Sequence, residues 1–300
     1  MHSVEQLEEM QRLPLSRKIQ ITTARIIEWY QHYDGKVYVA FSGGKDSTVL
    51  LDIVRRIYPD VPAVFSDTGL EFPEVRQFAM NYENVTVVRP EMNFRKVIEV
   101  YGYPIVSKRV ADTVEYGHKP GSFRWKELHG EIIRSNGTPS EFNCEKWCYL
   151  LDAPFKVSSR CCTVMKKRPM KKYQKETGRY PIIATMTTES RSRRATWLRQ
   201  GCNAFSGKKP SSQPMSFWTE NDVLEYLYTY KIPYAPVYGE IVRTDGGVDN
   251  YRRKAYWLCL LRLWRSFGKG AEPLPAPEGV SPQTLGLLHE AVGGTRLGYV

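Results

Sequence analysis

The first half of the chain alternates between short apolar runs, typical of buried strands, and segments with the three-to-four-residue apolar spacing of helices. Apolar runs lie at 37–41, 61–66 and 85–89, and helical spacing follows each of them. A helical segment from Val4 to Tyr33 precedes the first run. Because strands that alternate with helices form right-handed crossovers, the pattern predicts a doubly wound, mostly parallel α/β sheet.

In the second half of the chain, the alternation of strand and helix patterns is interrupted and then resumes. Residues 106–160 contain short helical stretches and a Gly/Ser/Asn-bearing segment, which we interpret as an insertion rather than a second core. The pattern then predicts a basic helix over about 163–177, a strand over 180–185, and a helix over about 220–230 that Thr219 caps. We therefore expect a five-stranded sheet.

Three segments follow from this pattern. Residues 1–35 form an N-terminal helical segment, residues 36–245 form the α/β domain with its helical insertion at about 106–160, and residues 246–300 form an irregular tail without clear periodicity.

Length and composition limit the class of protein. The chain has 300 residues, of which 42% are hydrophobic, enough for one large domain. No apolar run approaches the roughly 20 residues that span a bilayer, and the N-terminus lacks the layout of a signal peptide. We expect a soluble, cytoplasmic protein without a membrane partner. Six cysteines are too few for a disulfide framework in a chain of this length.

The charge predicts an anionic partner. Lys and Arg number 43 against 32 Asp and Glu, a formal net charge of +11. Residues 251–300 hold seven Lys and Arg residues and three Asp and Glu residues, so they contribute +4 of this excess. The remainder is concentrated between residues 160 and 199, which favours a compact anion, although nucleic acid stays open.

A glycine-bearing loop lies between the first predicted strand and its helix. It reads Ser42, Gly43, Gly44, Lys45, Asp46 and Ser47. At such a junction, backbone N–H groups and the helix dipole converge, and paired glycines let the main chain approach an anion. Lys45 adds a positive charge, the hydroxyls of Ser42 and Ser47 can donate to phosphate oxygens, and Asp46 can hold a metal ion. An ordinary turn would need neither the lysine nor the two serines.

This loop resembles the pyrophosphate-binding loop (PP-loop) of the ATP pyrophosphatase and phosphoadenosine phosphosulfate (PAPS) reductase superfamily. Further motifs extend the resemblance in the same order along the chain. They are Asp67-Thr68-Gly69 after the second strand, Tyr103 to Lys108, the Glu189-Ser190-x-x-Arg193 signature with an additional arginine at Arg191, Trp218-Thr219-x-x-Asp222-Val223, and the Ile232-Pro233-Tyr234 turn.

The resemblance implies an adenine nucleotide alpha hydrolase-like, Rossmann-like fold that binds ATP or PAPS, with Mg²⁺ as an additional cofactor. It implies nucleotide and phosphate binding by Ser42, Gly43, Gly44, Lys45, Asp46, Ser47, Asp67, Thr68, Gly69, Glu189 and Ser190. It implies catalytic roles for Lys45, Asp46, Arg191 and Arg193. Guanidinium groups suit sulfate and phosphate oxygens, whereas Asp67 and Glu71 have an alternative interpretation as turn and capping residues.

The cysteine pair Cys161–Cys162 precedes the basic helix. It resembles the first half of the iron–sulfur motif of adenylyl-sulfate reductases, and so implies ligands of a [4Fe-4S] cluster, with basic neighbours that favour the thiolate. The second half, a downstream Cys-x-x-Cys, is absent from this sequence, where Cys259 alone lies near its place. Cys144 and Cys148 could join the pair around zinc or a cluster, or they could be structural cysteines.

The tail beyond Tyr251 departs from the family pattern. Back-translation with permitted codons, read one base later, can spell a family-like tail that contains the missing Cys-x-x-Cys. We hypothesise that the tail is read out of frame. The alternative is a divergent tail, and the nucleotide sequence of the gene distinguishes the two.

The resemblance leaves several functions open. The first is sulfonucleotide reduction to sulfite, with a thiol or iron–sulfur electron donor, or cleavage of ATP between the α- and β-phosphates to form an adenylate. The sequence lacks the Glu-Cys-Gly setting of a thioredoxin-linked nucleophile. The second is modification of nucleic acid, as in tRNA thiolation or DNA phosphorothioation, with a basic helix that tracks phosphates. The third is an inactive nucleotide-binding paralogue. A homodimer is a further expectation.

Overall fold

The computed structural model describes residues 2–207, 209–244 and 247–250, which form two compact units. The first unit comprises residues 2–89 and 169–250, and the second comprises residues 90–168. The predicted tail lies outside the described residues from Tyr251 onward, so Cys259 and the shifted reading frame stay predictions. The predicted boundaries at residues 35 and 245 also stay predictions.

The elements follow the predicted alternation. The helices are α1 (Val4–Arg12), α2 (Leu15–His32), α3 (Lys45–Ile57), α4 (Pro73–Met80), α5 (Phe94–Tyr101), α6 (Lys108–Tyr116), α7 (Phe123–Leu128), α8 (Arg168–Thr177), α9 (Arg191–Gln200) and α10 (Glu220–Tyr230). The strands are β1 (Val37–Phe41), β2 (Ala63–Ser66), β3 (Val85–Val88), β4 (Tyr180–Ile183), β5 (Asn203–Ala204), β6 (Ser211–Ser212), β7 (Ile241–Thr244) and β8 (Gly247–Asn250). Short 3₁₀ segments lie at Glu145–Asp152, Thr187–Glu189 and Pro236–Tyr238, and a π-helical turn lies at Thr163–Lys167.

The first unit contains a six-stranded sheet in the order β3-β2-β1-β4-β6-β5. All neighbouring pairs are parallel except β5 with β6. The prediction of a doubly wound, mostly parallel sheet is therefore confirmed, but the number of strands differs from the predicted five. Both β5 and β6 have two residues, too short for an apolar alternation to show in the sequence.

Helices cover both faces of this sheet. Val39 and Phe41 on β1 belong to a core that also contains buried residues of α2, α3 and α10. Tyr38 points the other way and packs with Tyr173 of α8. Alternate residues of a strand face opposite sides, so β1 is buried on both faces, which explains its continuous apolar run.

The N-terminal helical segment is two helices rather than one. Leu13 ends α1, and Pro14 precedes α2 as its N-cap residue. Proline has no backbone N–H and disfavours helical geometry in the residue before it, so the helix is interrupted there.

The predicted N-cap of α10 is confirmed, because Thr219 and Asp222 form a capping box.

The second unit has a small core of its own, so the expectation of an insertion without a second core is wrong. Val110 and Val114 of α6 pack with Leu128 of α7 and with Leu150 and Val157. Most of these apolar residues lie on short helical segments, and no long periodic segment signals them in the sequence. The fully buried Glu127 is paired with arginines from α6 and α7.

Among the described helices, none has both the length and the apolar character needed to cross a bilayer.

Candidate functional site

The predicted phosphate loop lies where the order of the strands reverses. The chain runs from β1 outward to β2 and β3, and then returns to place β4 on the other side of β1. In open α/β sheets, a crevice forms beyond the carboxyl ends of the strands at such a switch point. The loop follows β1, and the segment that contains Glu189 to Arg193 follows β4. The two segments therefore border the same crevice.

The loop is held in shape by its own hydroxyls. Ser47 Oγ accepts a hydrogen bond from the Ser42 N–H at 3.1 Å and donates to the Gly44 carbonyl at 2.9 Å. Ser42 Oγ accepts from the Gly44 N–H at 3.3 Å. The two serines that we predicted as phosphate donors thus make hydrogen bonds within the loop.

The two glycines meet different requirements. Gly43 has φ +71°, and a Cβ there would lie 2.8 Å from the carbonyl oxygen of Val75 in α4. Gly44 is the N-cap of α3 and supplies no capping side chain. A Cβ on Gly44 would lie 3.1 Å from Ser42 Oγ and 3.2 Å from the hydroxyl of Tyr238, both closer than ordinary van der Waals contact. The start of α3 consequently offers its main chain and the positive end of its dipole to the crevice.

Lys45, the first residue of α3, has a side chain that is only 8% exposed. Its ammonium nitrogen lies 2.9 Å from Oδ1 of Asp46 and 3.7 Å from Oε1 of Glu220, the first residue of α10. Two carboxylates from different elements therefore lie beside the cation of the loop.

Arg193 connects the segment after β4 to the loop. Its guanidinium donates to the carboxylate of Glu189, which also accepts from the Met186 N–H at 2.8 Å. Ser190 caps α9 by accepting from the Arg193 N–H at 3.2 Å. Burial lowers the pKa of Arg193, and the carboxylate of Asp46 acts in the opposite direction, so the two side chains interact electrostatically.

Two other arginines of this segment are exposed. Arg191 is the first residue of α9, and Arg194 donates to Glu8 at 3.4 Å. Arg193 interacts electrostatically with Asp46 of the loop, and the catalytic role of Arg191 stays a prediction.

Asp67 follows β2 and is neutralised by arginines. Arg76 makes two hydrogen bonds to its carboxylate, at 2.7 and 2.9 Å, and Arg89 makes a third at 3.1 Å. The hydrogen bonds from Arg76 are the main reason that the pKa of Asp67 lies below its usual range, and the bond from Arg89 lowers it further. Burial acts in the opposite direction. This arrangement supports a structural role for Asp67, one of the alternatives that the sequence leaves open.

Thr68 and Gly69 form a turn that Glu71 organises. The carboxylate of Glu71 accepts from the Thr68 N–H at 3.1 Å and from its hydroxyl at 2.7 Å. Gly69 has φ +74°, and no described atom lies within 4 Å of the place that a Cβ would take there. The capping interpretation of Glu71 is therefore supported, and the open space beside Gly69 leaves room at the edge of the sheet.

The cysteine prediction concerns the second unit. Within the described part of the chain, no three His, Cys, Asp or Glu residues gather as a metal site, and the grouping of Cys144 and Cys148 with the Cys161–Cys162 pair stays a prediction. Burial raises the pKa of Cys161 and outweighs the opposite influence of the neighbouring lysines. The expected thiolate is thus not favoured at Cys161. An iron–sulfur role for the pair would need ligands from beyond residue 250 and stays a prediction.

Cys148 has a different neighbour. Its sulfur lies 3.6 Å from Nε2 of His129, whose Nδ1 lies 2.8 Å from the Trp125 carbonyl oxygen. The predicted metal-ligand role of Cys148 stays untested, and its contact is with an imidazole rather than with another thiol.

Sequence reasoning missed two residues beside the loop, Glu220 and Tyr238. Glu220 lies within the Trp218-to-Val223 motif and Tyr238 lies four residues after the Ile232-Pro233-Tyr234 turn, but each is more than 170 positions from the loop. Their only signal was the family resemblance of the segments that carry them.

Comparison with known proteins bears on this arrangement. The family model for the phosphoadenosine phosphosulfate reductase domain matches residues 36–113 and 138–253. An adenosine 5'-phosphosulfate reductase from Lysinibacillus sphaericus is 24% identical over 250 residues, which cover 82% of this chain and 86% of the relative. Two uncharacterised proteins of Methanocaldococcus jannaschii are 26% and 27% identical over 71% and 70% of this chain. This chain spans only 41% and 35% of their lengths.

Two solved structures are similar at low sequence identity. A PAPS reductase from Candida auris, in a phosphate complex, has a TM-score of 0.41 and 14% identity, over 79% of this chain and 91% of that one. A U34-tRNA thiolase from Methanococcus maripaludis, with its [4Fe-4S] cluster, has a TM-score of 0.36 and 13% identity, over 94% of this chain and 82% of that one.

Proposed function

Because the chain belongs to the phosphoadenosine phosphosulfate reductase domain family, we propose that it is an enzyme that binds ATP or PAPS through the loop Ser42–Ser47. The observation that carries the proposal is the glycine-capped start of α3 at the strand-order reversal, with Lys45 and Arg193 beside it. A helix start of this kind, together with two cations, is suited to a chain of phosphate or sulfate groups.

Each element has a role in this proposal. The main chain of the loop and Lys45 bind the phosphate chain, and Arg193 and Arg191 contact the transferred group. The edge of the sheet at Asp67 to Gly69 borders the adenosine. Asp46 would hold the Mg²⁺ that accompanies ATP, because carboxylate oxygens are the ligands that Mg²⁺ prefers. The reaction is either reduction of the sulfonucleotide to sulfite or cleavage of ATP between its α- and β-phosphates, linked to sulfur transfer.

The test is isothermal titration of the full chain with ATP plus Mg²⁺ and, separately, with PAPS. Lys45→Met should weaken binding by about 10- to 100-fold, the effect of losing a charged hydrogen bond. Lys36→Met is the matched control: Lys36 is exposed at the opposite end of β1, and its loss should leave the affinity unchanged. If neither nucleotide binds to the wild-type chain, the proposal is wrong.

Product assays then identify the reaction. Release of pyrophosphate from ATP indicates α–β cleavage, and release of sulfite from PAPS in the presence of a thiol indicates reduction. A chain that binds nucleotide but releases neither product is the inactive paralogue.

A second candidate, modification of nucleic acid, is favoured by the surface of α8. Pro169 and Tyr173 are buried, whereas Lys171, Lys172 and Lys175 are exposed, so the basic side of this helix faces solvent. A gel shift with tRNA and with duplex DNA should show binding that weakens steeply with salt. The double variant Lys171→Glu/Lys172→Glu should abolish it. If the wild-type chain gives no shift at about 50 mM salt, this candidate is excluded.

A further inference from the structure

We propose that Glu220 competes with the incoming phosphate group for the ammonium of Lys45, and thereby sets the affinity of the loop for anions. This inference rests on the proposed function, because it assumes that the loop binds phosphate. It assigns to α10 a residue that sets anion affinity and lies 175 positions from its partner in the sequence.

The contact itself is the first step. Oε1 of Glu220 lies 3.7 Å from Nζ of Lys45, whose side chain is almost wholly buried. Asp46 is nearer, at 2.9 Å, but it belongs to the loop and moves with it. Glu220 comes from another element, and its side chain is 50% exposed, so it can rotate into solvent when an anion takes its place.

The start of α10 is fixed, which keeps Glu220 at this position. The preceding Trp218 is fully buried and donates from Nε1 to the hydroxyl of Thr22 at 2.9 Å. Asp222 Oδ2 accepts from the Thr219 N–H at 2.7 Å and from Lys18 Nζ at 2.6 Å. Residues on both sides of Glu220 are thus anchored to α2, and the carboxylate returns to Lys45 whenever the anion leaves.

The electrostatic consequence is an opposing effect on anion binding. Before an anion binds, Glu220 neutralises part of the charge of Lys45, and a phosphate must displace it. The carboxylate also repels the phosphate at short range. Removal of this single half-exposed charge should strengthen anion binding by about three- to fivefold, the upper part of the range for exposed ion pairs.

The experiment measures binding of inorganic pyrophosphate by isothermal titration, once in EDTA and once in excess Mg²⁺. Glu220→Gln should bind pyrophosphate about three- to fivefold more tightly than wild type under both conditions. The advantage should shrink as KCl is raised, because exposed charges are screened. Glu225→Gln removes the same charge from the same helix and is the control, with wild-type affinity expected.

The alternative outcomes are distinct. If Glu220→Gln and wild type bind pyrophosphate equally while Lys45→Met weakens binding, the proposed function stands and this inference is wrong. If Glu220→Gln weakens binding in Mg²⁺ alone, Glu220 is a cation ligand and the inference is also wrong. If the wild-type chain binds neither pyrophosphate nor a nucleotide, the proposed function fails and this inference fails with it.

Discussion

Replacement of Lys18 by methionine removes a cation from the interior of the first unit. The side chain of Lys18 is 2% exposed, and its ammonium lies 2.6 Å from a carboxylate oxygen of Asp222, which is 11% exposed. The same ammonium donates to the carbonyl of Gln11 at 2.8 Å. In Lys18→Met, both oxygens lose their cationic donor.

The expected cost follows from these contacts. Removal of one partner of a buried ion pair usually costs about 3–5 kcal/mol, because the other charge stays buried without compensation. Asp222 keeps two donors from Thr219, at 2.7 and 2.8 Å, which lessens its penalty. We therefore expect Lys18→Met to lower the free energy of unfolding by about 3 kcal/mol, at the low end of that range.

A double-mutant cycle identifies the source of this loss. Asp222→Asn keeps the shape of the helix cap and removes the charge, so Lys18→Met/Asp222→Asn should be more stable than the sum of the single losses predicts. The coupling should be about 1–3 kcal/mol, as for residues in direct contact. Urea unfolding followed by circular dichroism at about 222 nm measures each free energy.

Arg25→Met provides the control for this cycle. Arg25 and Glu28 form an exposed ion pair, with side chains 43% and 45% exposed, so the loss should stay below about 0.5 kcal/mol. A loss below about 1 kcal/mol for Lys18→Met, or single losses that simply add in the double variant, would refute the reasoning.

Three further predictions concern the loop, the edge of the sheet and the thiols. Because the pKa of Asp67 is lowered in the folded chain, its contribution to stability is present above about pH 4 and is lost as the pH falls through its folded pKa. Asp67→Asn should therefore reduce the fall in the free energy of unfolding at acidic pH. An unchanged fall would contradict this. Gly43→Ala should lower the free energy of unfolding by about 2–3 kcal/mol, and Gly69→Ala should lower it by about 1 kcal/mol, as measured by thermal or urea unfolding. Both glycines have positive φ, but only a Cβ on Gly43 would also meet a backbone oxygen. Equal losses would contradict this. Burial raises the pKa of Cys144 and Cys202. Iodoacetamide should therefore alkylate both thiols much more slowly in the folded chain than in urea, as followed by mass spectrometry. Equal rates would contradict their burial.

The sequence alone determined the elements whose signals are local. The apolar run of β1, the glycines and lysine of the loop, and the start of α10 at Thr219 all appear where the pattern predicts them. Their causes are short-range: burial on both faces makes a strand uniformly apolar, and a capping side chain acts three residues away. Local signals also indicate that the glycine-bearing loop leads directly into a helix. This junction is the centre of the candidate site.

Only the tertiary structure decided which distant residues meet. Lys18 and Asp222 are 204 positions apart, and neither the pairing nor its burial has a local signature. The arginines around Asp67, the position of Glu220 beside Lys45, and the short strands β5 and β6 likewise depend on how the sheet brings the ends of its strands together. Charged side chains far apart in sequence look like solvated surface residues until packing removes their water. Strand order and helix packing therefore determine which charges become structural pairs and which stay at the crevice.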